Sequence, residues 1–155
     1  MSYLFVSLPF SYLTFMKKYG FYLFVLLLAS CHSKPKPDDL KKINGYWEIE
    51  EVVFPDGNKK VYQVNDVIDK FELTNDKGIR TKVKPQLDGT FLNSNLNESV
   101  QIIDSNRTYY LKAKTNYATW IEEIEFISKD KLVLEHQNKT VYHYKRFVPL
   151  SKQIK

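Results

Sequence analysis

The chain has 155 residues, with 23 Lys and Arg against 18 Asp and Glu, and a single cysteine. Two of the basic residues, Lys17 and Lys18, lie before residue 31, which leaves 21 against 18 and a formal charge of only +3 on the 125 residues that follow. Those charges are interspersed rather than run together, so nucleic acid is not implied, and the length suffices for one domain with a core but not for two.

Met1 to Phe15 is apolar and aromatic, carries no basic residue and is interrupted by Pro9. It does not fit a signal peptide; the expectation is that translation starts at Met16, with a second membrane-inserted segment as the alternative. Met16-Lys17-Lys18 then forms a positive n-region, Phe21 to Leu28 an apolar h-region, and Ala29-Ser30 supplies small residues before Cys31. This order resembles bacterial lipoprotein precursors, with Leu27-Leu28-Ala29-Ser30-Cys31 as the lipobox. The resemblance implies cleavage between Ser30 and Cys31 and lipid on Cys31. A transmembrane helix is the competing reading, but it needs about 20 apolar residues, and the run between Lys18 and Ser30 offers roughly a dozen.

The organisation that follows is a leader and signal peptide over 1–30, a lipidated tether over 31–39, and a folded domain over 40–150. Pro35 and Pro37 favour an extended spacer. His32 stands where an aspartate retains some lipoproteins in the inner membrane, so the expected location is the outer membrane, at its periplasmic face or the cell surface. With Cys31 lipidated, no thiol remains for a disulfide, a nucleophile or a zinc site.

Asp38 to Ile43, acids first and lysines last, reads as a short helix whose charges complement its dipole. Beyond it the dominant period is two. Trp47 and Ile49 alternate with Glu48 and Glu50, Phe71 and Leu73 with Lys70 and Glu72, and Tyr109, Leu111 and Ala113 with Tyr110, Lys112 and Lys114. That is the pattern of half-buried antiparallel strands. Further strands are expected at 59–64, 79–84, 99–104, 119–127, 132–136 and 140–148. Turn signals separate them, at Pro55 to Asn58, Asn75 to Gly78, Leu87 to Gly89, Asp104 to Asn106, Ser128 to Asp130 and Gln137 to Lys139. The fold class is all-β: an antiparallel meander that hides its edges by closing into a small eight- or nine-stranded barrel.

Gly45-Tyr46-Trp47 at the head of the first long strand resembles the Gly-x-Trp signature of lipocalins, and Tyr144-Lys145-Arg146 sets an arginine on the last strand. With the lipobox, the tether, Asp56-Gly57 and Lys131 to Leu134, the order of features is similar to the lipocalin-like lipoproteins of Bacteroidetes-type bacteria. The resemblance implies a barrel closed by Gly45, Trp47 and Arg146, the guanidinium lying over the indole.

No Gly-x-Ser-x-Gly and no phosphate loop is present, so no enzyme, cofactor or catalytic residue is proposed from the sequence. His136 and His143 flank the hairpin at Asn138; a tight turn there is expected to pair His136 with Val141 and to set His143 opposite Leu134. Without a third ligand of fixed spacing, no metal site is expected. Ala118, Trp120, Ile124 and Phe126 share an apolar row that Glu122 interrupts. Either a bulge turns Glu122 outward, or the carboxylate faces the interior and Trp120, Glu122, Ile124 and Phe126 become candidate ligand contacts. The functional expectation is non-catalytic binding of a small apolar molecule or lipid. The alternative is a filled barrel acting on a protein partner as an accessory subunit or inhibitor.

Overall fold

A computed structural model describes residues 34–149. The leader, the cleavage site at Ser30 and the lipidation site at Cys31 lie outside the described residues.

A 3-10 helix, Pro37–Ile43, precedes nine strands: β1 Gly45–Val53, β2 Lys59–Val61, β3 Ile68–Thr74, β4 Lys77–Pro85, β5 Phe91–Ser105, β6 Thr108–Lys114, β7 Thr119–Ile127, β8 Lys131–His136 and β9 Val141–Arg146. All neighbours are antiparallel, in the order β1-β3-β4-β5-β6-β7-β8-β9, and β9 pairs back onto β1. Eight strands thus form a closed barrel. β2 is the extra one, pairing with the second half of β1 (Glu51 with Val61, Val53 with Lys59) on the same edge that β3 takes at Gly45 to Trp47. The all-β barrel with a short N-terminal helix is therefore the class expected from the alternation.

Helix and barrel are locked together at one end. Pro37 opens the helix, where its missing N–H costs nothing, and the Asp39 carboxylate accepts from the Lys36 backbone N–H at 3.0 Å. Leu40 and the buried Ile43 pack on the core. The Asn44 side chain then grips β3 twice, donating to the Leu73 carbonyl (3.0 Å) and accepting from the Leu73 N–H (2.7 Å). The lower interior is apolar, filled by Trp47, Phe71, Val100, Leu111, Ile124, Leu132 and Leu134, among others.

Two expectations change. β5 begins at Phe91, eight positions before the expected start at Ser99, because its polar first half pairs with β4 (Pro85 with Phe91, Val83 with Asn93) despite having no apolar alternation. The β8–β9 register differs by one: Glu135 pairs with Val141, Leu134 with Tyr142 and Val133 with His143. Lys139 adopts a left-handed φ of +68° and the His136 N–H donates to the Thr140 carbonyl, so the turn is one residue shorter than expected. A one-residue slip reverses every side chain. His143 therefore lies opposite the outward Val133, while His136 continues the inward row of Leu132 and Leu134.

Three irregularities shape the rest. β1 shifts register between Ile49 and Glu51, β7 between Ile124 and Phe126, and β5 between Asn93 and Asn97. The last is the largest: Ser94, Asn95 and Leu96 oppose the single residue Lys82, with Asn95 at φ +60° and the Ser94 hydroxyl donating to the Lys82 carbonyl at 2.5 Å. Two surplus residues bend the β4–β5 hairpin outward. Beyond the bend, Phe91 stacks on Tyr46 of β1 with ring centroids 4.1 Å apart.

Candidate functional site

At the helix end, Trp47 is fully buried and its indole N–H donates to the Ile43 carbonyl at 2.6 Å. Arg146, its cross-strand neighbour, lies over the indole with the guanidinium carbon 3.7 Å from the ring centroid. Three backbone carbonyls accept from that guanidinium: Lys42 (2.7 Å), Asn44 (2.7 Å) and Lys129 (2.9 Å). Burial holds its pKa below the usual guanidinium value, with Asp130 opposing. Gly45 sits at φ +116°, and a Cβ there would lie 2.6 Å from Arg146 Nη1. These residues tie the helix, the β7–β8 turn and the barrel end together, with the Trp47 indole N–H and all three nitrogens of Arg146 donating to backbone carbonyls.

The chemistry lies halfway up the interior. Arg80 on β4 is nearly inaccessible and reaches two carboxylates: its Nε pairs with Glu98 of β5, and its Nη1 with Glu122 of β7 at 2.9 Å. Its guanidinium carbon lies 5.5 Å from the Phe71 ring and 6.0 Å from the Trp120 ring. Beside it, Asp69 of β3 is 2% exposed. Lys82 Nζ stands 2.5 Å from Asp69 Oδ1, yet that oxygen receives no directed hydrogen bond. The Tyr144 hydroxyl is bonded to Asp69.

Burial and charge set the protonation of this cluster. Burial opposes the charge on Arg80, but the nearby carboxylates, Glu122 foremost, outweigh it and hold the guanidinium protonated. Burial pushes the Glu122 carboxyl above its ordinary value, with Arg80 pulling the other way. Burial also drives the Tyr144 phenol well above 10, with Asp69 adding to it. Asp69, Glu98 and Glu122 thus share this part of the interior with Arg80 and Lys82, and His136 of β8 lies across from Glu122.

The sequence-derived row on β7 resolves as follows. Glu122 faces inward, because the β7 bulge falls two residues later. Trp120 is half-buried beside Arg80. Ile124 is sealed in the core at 1% exposure. The bulge turns Phe126 outward, opposite Val133, and hands its inward place to Ile127, opposite Leu132. Sequence reasoning missed Asp69, Arg80, Lys82, Glu98 and Tyr144. For Asp69 a signal existed, since it shares the inward row of Phe71 and Leu73.

The cluster has an outlet. Pairing between β5 and β6 stops at Ser99 with Lys114, so the bulged stretch of β5 and the β6–β7 turn leave a notch in the wall. There a cleft of about 740 Å³ opens, lined by Lys82, residues 95–99 of β5 and residues 114–117. Its floor includes Glu98 and Lys82, the outer members of the cluster. Its sides carry the amides of Asn95, Asn97 and Asn116 with the exposed Leu96 and Tyr117. Ligand pockets run roughly 300 to 1,000 Å³.

No protein-family model matches the chain, and no curated protein matches it. Among solved structures it is similar to a lipocalin-like protein from Bacteroides uniformis, at 17% identity and a TM-score of 0.45 over 68% of this chain and 99% of that one. It is similar also to an uncharacterized protein from Bacteroides eggerthii, at 12% identity and a TM-score of 0.45 over 67% and 98%.

Proposed function

We propose that this protein is a lipid-anchored lipoprotein of the bacterial outer membrane whose barrel binds a small amphipathic molecule without chemical turnover. The lipobox ending in Cys31 supports the anchor, since a diacylglyceryl cysteine supplies the two chains that stable anchoring takes. The observation that carries the binding role is the cleft of about 740 Å³ whose lining includes Glu98 and Lys82, two members of the charged cluster. Within the sequence-based expectation of a small apolar molecule or lipid, Glu98 and Lys82 in the cleft lining favour a ligand that also carries a polar group.

The anchor is tested by metabolic labelling with an alkyne fatty acid, where Cys31→Ser must abolish the label. Binding is tested by native mass spectrometry of the protein purified from its own host's envelope. A stoichiometric co-purifying small molecule supports the reading. A clean apo mass, together with a reproducible crosslinked protein partner, would replace it with the interaction module.

A further inference from the structure

We infer that the outer wall of β4 to β6 is a second site, a phosphate-binding groove that rests on the anionic headgroups of the membrane in which the lipid of Cys31 sits. The inference rests on the lipid anchor proposed above and adds the face that the anchored domain turns to the bilayer. A groove of about 320 Å³ runs along this wall, where Lys77 of β4, Ser99 and Gln101 of β5, and Lys112 and Lys114 of β6 line it and no carboxylate does. Strand register brings them together: Lys77 pairs with Gln101 and Gln101 with Lys112, while Ser99 pairs with Lys114. They occupy the outward positions of strands whose alternate residues, Val100, Leu111 and Ala113, are buried.

Unused donors give the groove its chemistry. Of the strand lysines, Lys59, Lys70, Lys82 and Lys145 each pair with a carboxylate. Lys60, Lys84 and Lys131 do not, and lie on three separate elements. Lys77, Lys112 and Lys114 have no ion pair among the described residues either, and the side chains of Ser99 and Gln101 beside them make no hydrogen bond there. Three ammoniums, a hydroxyl and an amide therefore converge with free donors, a set that suits phosphate oxygens. The acids nearest this face stand at its rim: Glu72, across from Ile79, holds Lys70; Glu123 lies across from Tyr110; and Asp76 precedes Lys77 in the turn.

The tether supplies the second observation. Lys34 Nζ donates to Thr108 Oγ1 at 3.5 Å, at the start of β6. Cys31 precedes Lys34 by three residues, a reach of at most about 11 Å. The lipid is thus tied beside the same β5–β6 hairpin whose outer face carries Gln101, Lys112 and Lys114. The exposed Ile79 and Ile121 flank these lysines and add apolar contact with the interface. Each lysine near an anionic leaflet strengthens binding by about fivefold, so three give about a hundredfold. Ser99 and Lys114 also line the larger cleft, so with this wall on the headgroups the cleft opens beside the bilayer and takes its ligand from there.

The test reconstitutes the protein purified from its host's envelope in phosphatidylcholine vesicles with and without phosphatidylglycerol. With Cys31 blocked by lipid, Ile121→Cys on this wall or His143→Cys on β9 takes a fluorophore alone, and a lipid bearing a headgroup nitroxide quenches whichever wall lies on the membrane. In anionic vesicles the Ile121→Cys probe is expected to be quenched and the His143→Cys probe not. Combining Lys77→Gln, Lys112→Gln and Lys114→Gln, all exposed, should bring the first down to the level of the second. Equal quenching of the two walls overturns the inference, and so does quenching at Ile121→Cys that the triple variant leaves unchanged. Inorganic phosphate that abolishes quenching at an ionic strength where sodium chloride does not would assign the groove to free phosphate and overturn the membrane as its occupant. A protein that fails to float with neutral vesicles lacks the anchor and overturns that reading. The groove is then judged by flotation with anionic vesicles: the triple variant should bind about a hundredfold more weakly, and equal flotation of the two proteins overturns it.

Discussion

Replacing Arg146 by alanine removes more than a charge. The guanidinium stacks on Trp47 at 3.7 Å and donates to the carbonyls of Lys42, Asn44 and Lys129. A cation–π contact contributes about 0.5 to 2 kcal/mol depending on desolvation. A hydrogen bond from a charged donor contributes about 1.5 to 3 kcal/mol when buried. Arg146 is only partly buried, so roughly 0.5 to 1 kcal/mol for each of its three bonds is the defensible figure. The expected loss is then about 2 to 5 kcal/mol, or roughly 6 to 18 °C in Tm for a domain of this size. Arg146→Lys should lose most of it too, since an ammonium cannot reproduce the flat fork that spans carbonyls of the helix, its exit and the β7–β8 turn. Urea unfolding followed by tryptophan fluorescence measures both variants. A loss below about 0.5 kcal/mol for Arg146→Ala would show that the helix end holds without the clamp, and the closing role would be wrong.

Gly45→Ala attacks the same clamp from its other side, by positive φ and by a Cβ 2.6 Å from Arg146 Nη1; thermal unfolding should register a loss of at least about 1 kcal/mol. Arg80→Met strips Glu98 and Glu122 of their shared partner and should cost about 3 to 5 kcal/mol at neutral pH, part of which adding Glu122→Gln restores. The pH dependence follows from Glu122, whose folded-state pKa is raised above its ordinary 4.5 by burial. The folded protein therefore holds that proton more tightly than the unfolded chain, and the stability it contributes is complete below about 4.5 and lost as pH rises through the folded value. The Tm of the wild type minus that of Glu122→Gln should consequently be larger at pH 4.5 than at pH 7.5, and the opposite trend would contradict an inward, desolvated Glu122. The neighbouring Asp69, Glu98, Arg80, Tyr142 and His136 are common to both proteins, so the difference isolates this carboxyl.

Strand order and closure were legible because the inward rows are written as alternation. Trp47 and Ile49, Phe71 and Leu73, and Tyr109, Leu111 and Ala113 all fall on the face where the core is. The interior cluster was legible only at Glu122, the single acid in an apolar row. Arg80 was hidden because β4 inverts the pattern: the apolar Ile79 beside it is 48% exposed, while Arg80 faces in. Glu98 was hidden because the half of β5 before it is an asparagine-rich run without alternation, held as a strand by pairing with β4 and bent by a bulge no local rule announces. Phe126 was misassigned for a like reason, since an alternation read through a bulge comes out on the wrong face.

The β5 bulge joins the fold to the proposed chemistry. Lys82 is both the residue opposite the surplus Ser94-Asn95-Leu96 and the ammonium on Asp69. Glu98 is both the residue just before pairing with β6 resumes at Ser99 and the partner of Arg80 Nε. Deleting Asn95 and Leu96 leaves one residue opposite Lys82 and restores regular pairing from Thr81 with Asn97 to Val83 with Asn93. Because two residues are removed, the period-two alternation is preserved, and Glu98 and Val100 still face inward. The Arg80 pairs should therefore survive, and the variant should fold with a Tm near the wild type's or above it, since a straightened strand has no left-handed asparagine to accommodate. The hairpin would no longer bend at the bulge, the notch beside the β6–β7 turn would narrow, and the variant purified from the host envelope should lose the co-purifying small molecule in native mass spectrometry. A stoichiometric small molecule retained by a folded deletion variant would mean that the ligand does not use this cleft and that the bulge serves only to seat Phe91 on Tyr46. If the variant neither binds nor folds, the surplus residues are needed to close the barrel itself.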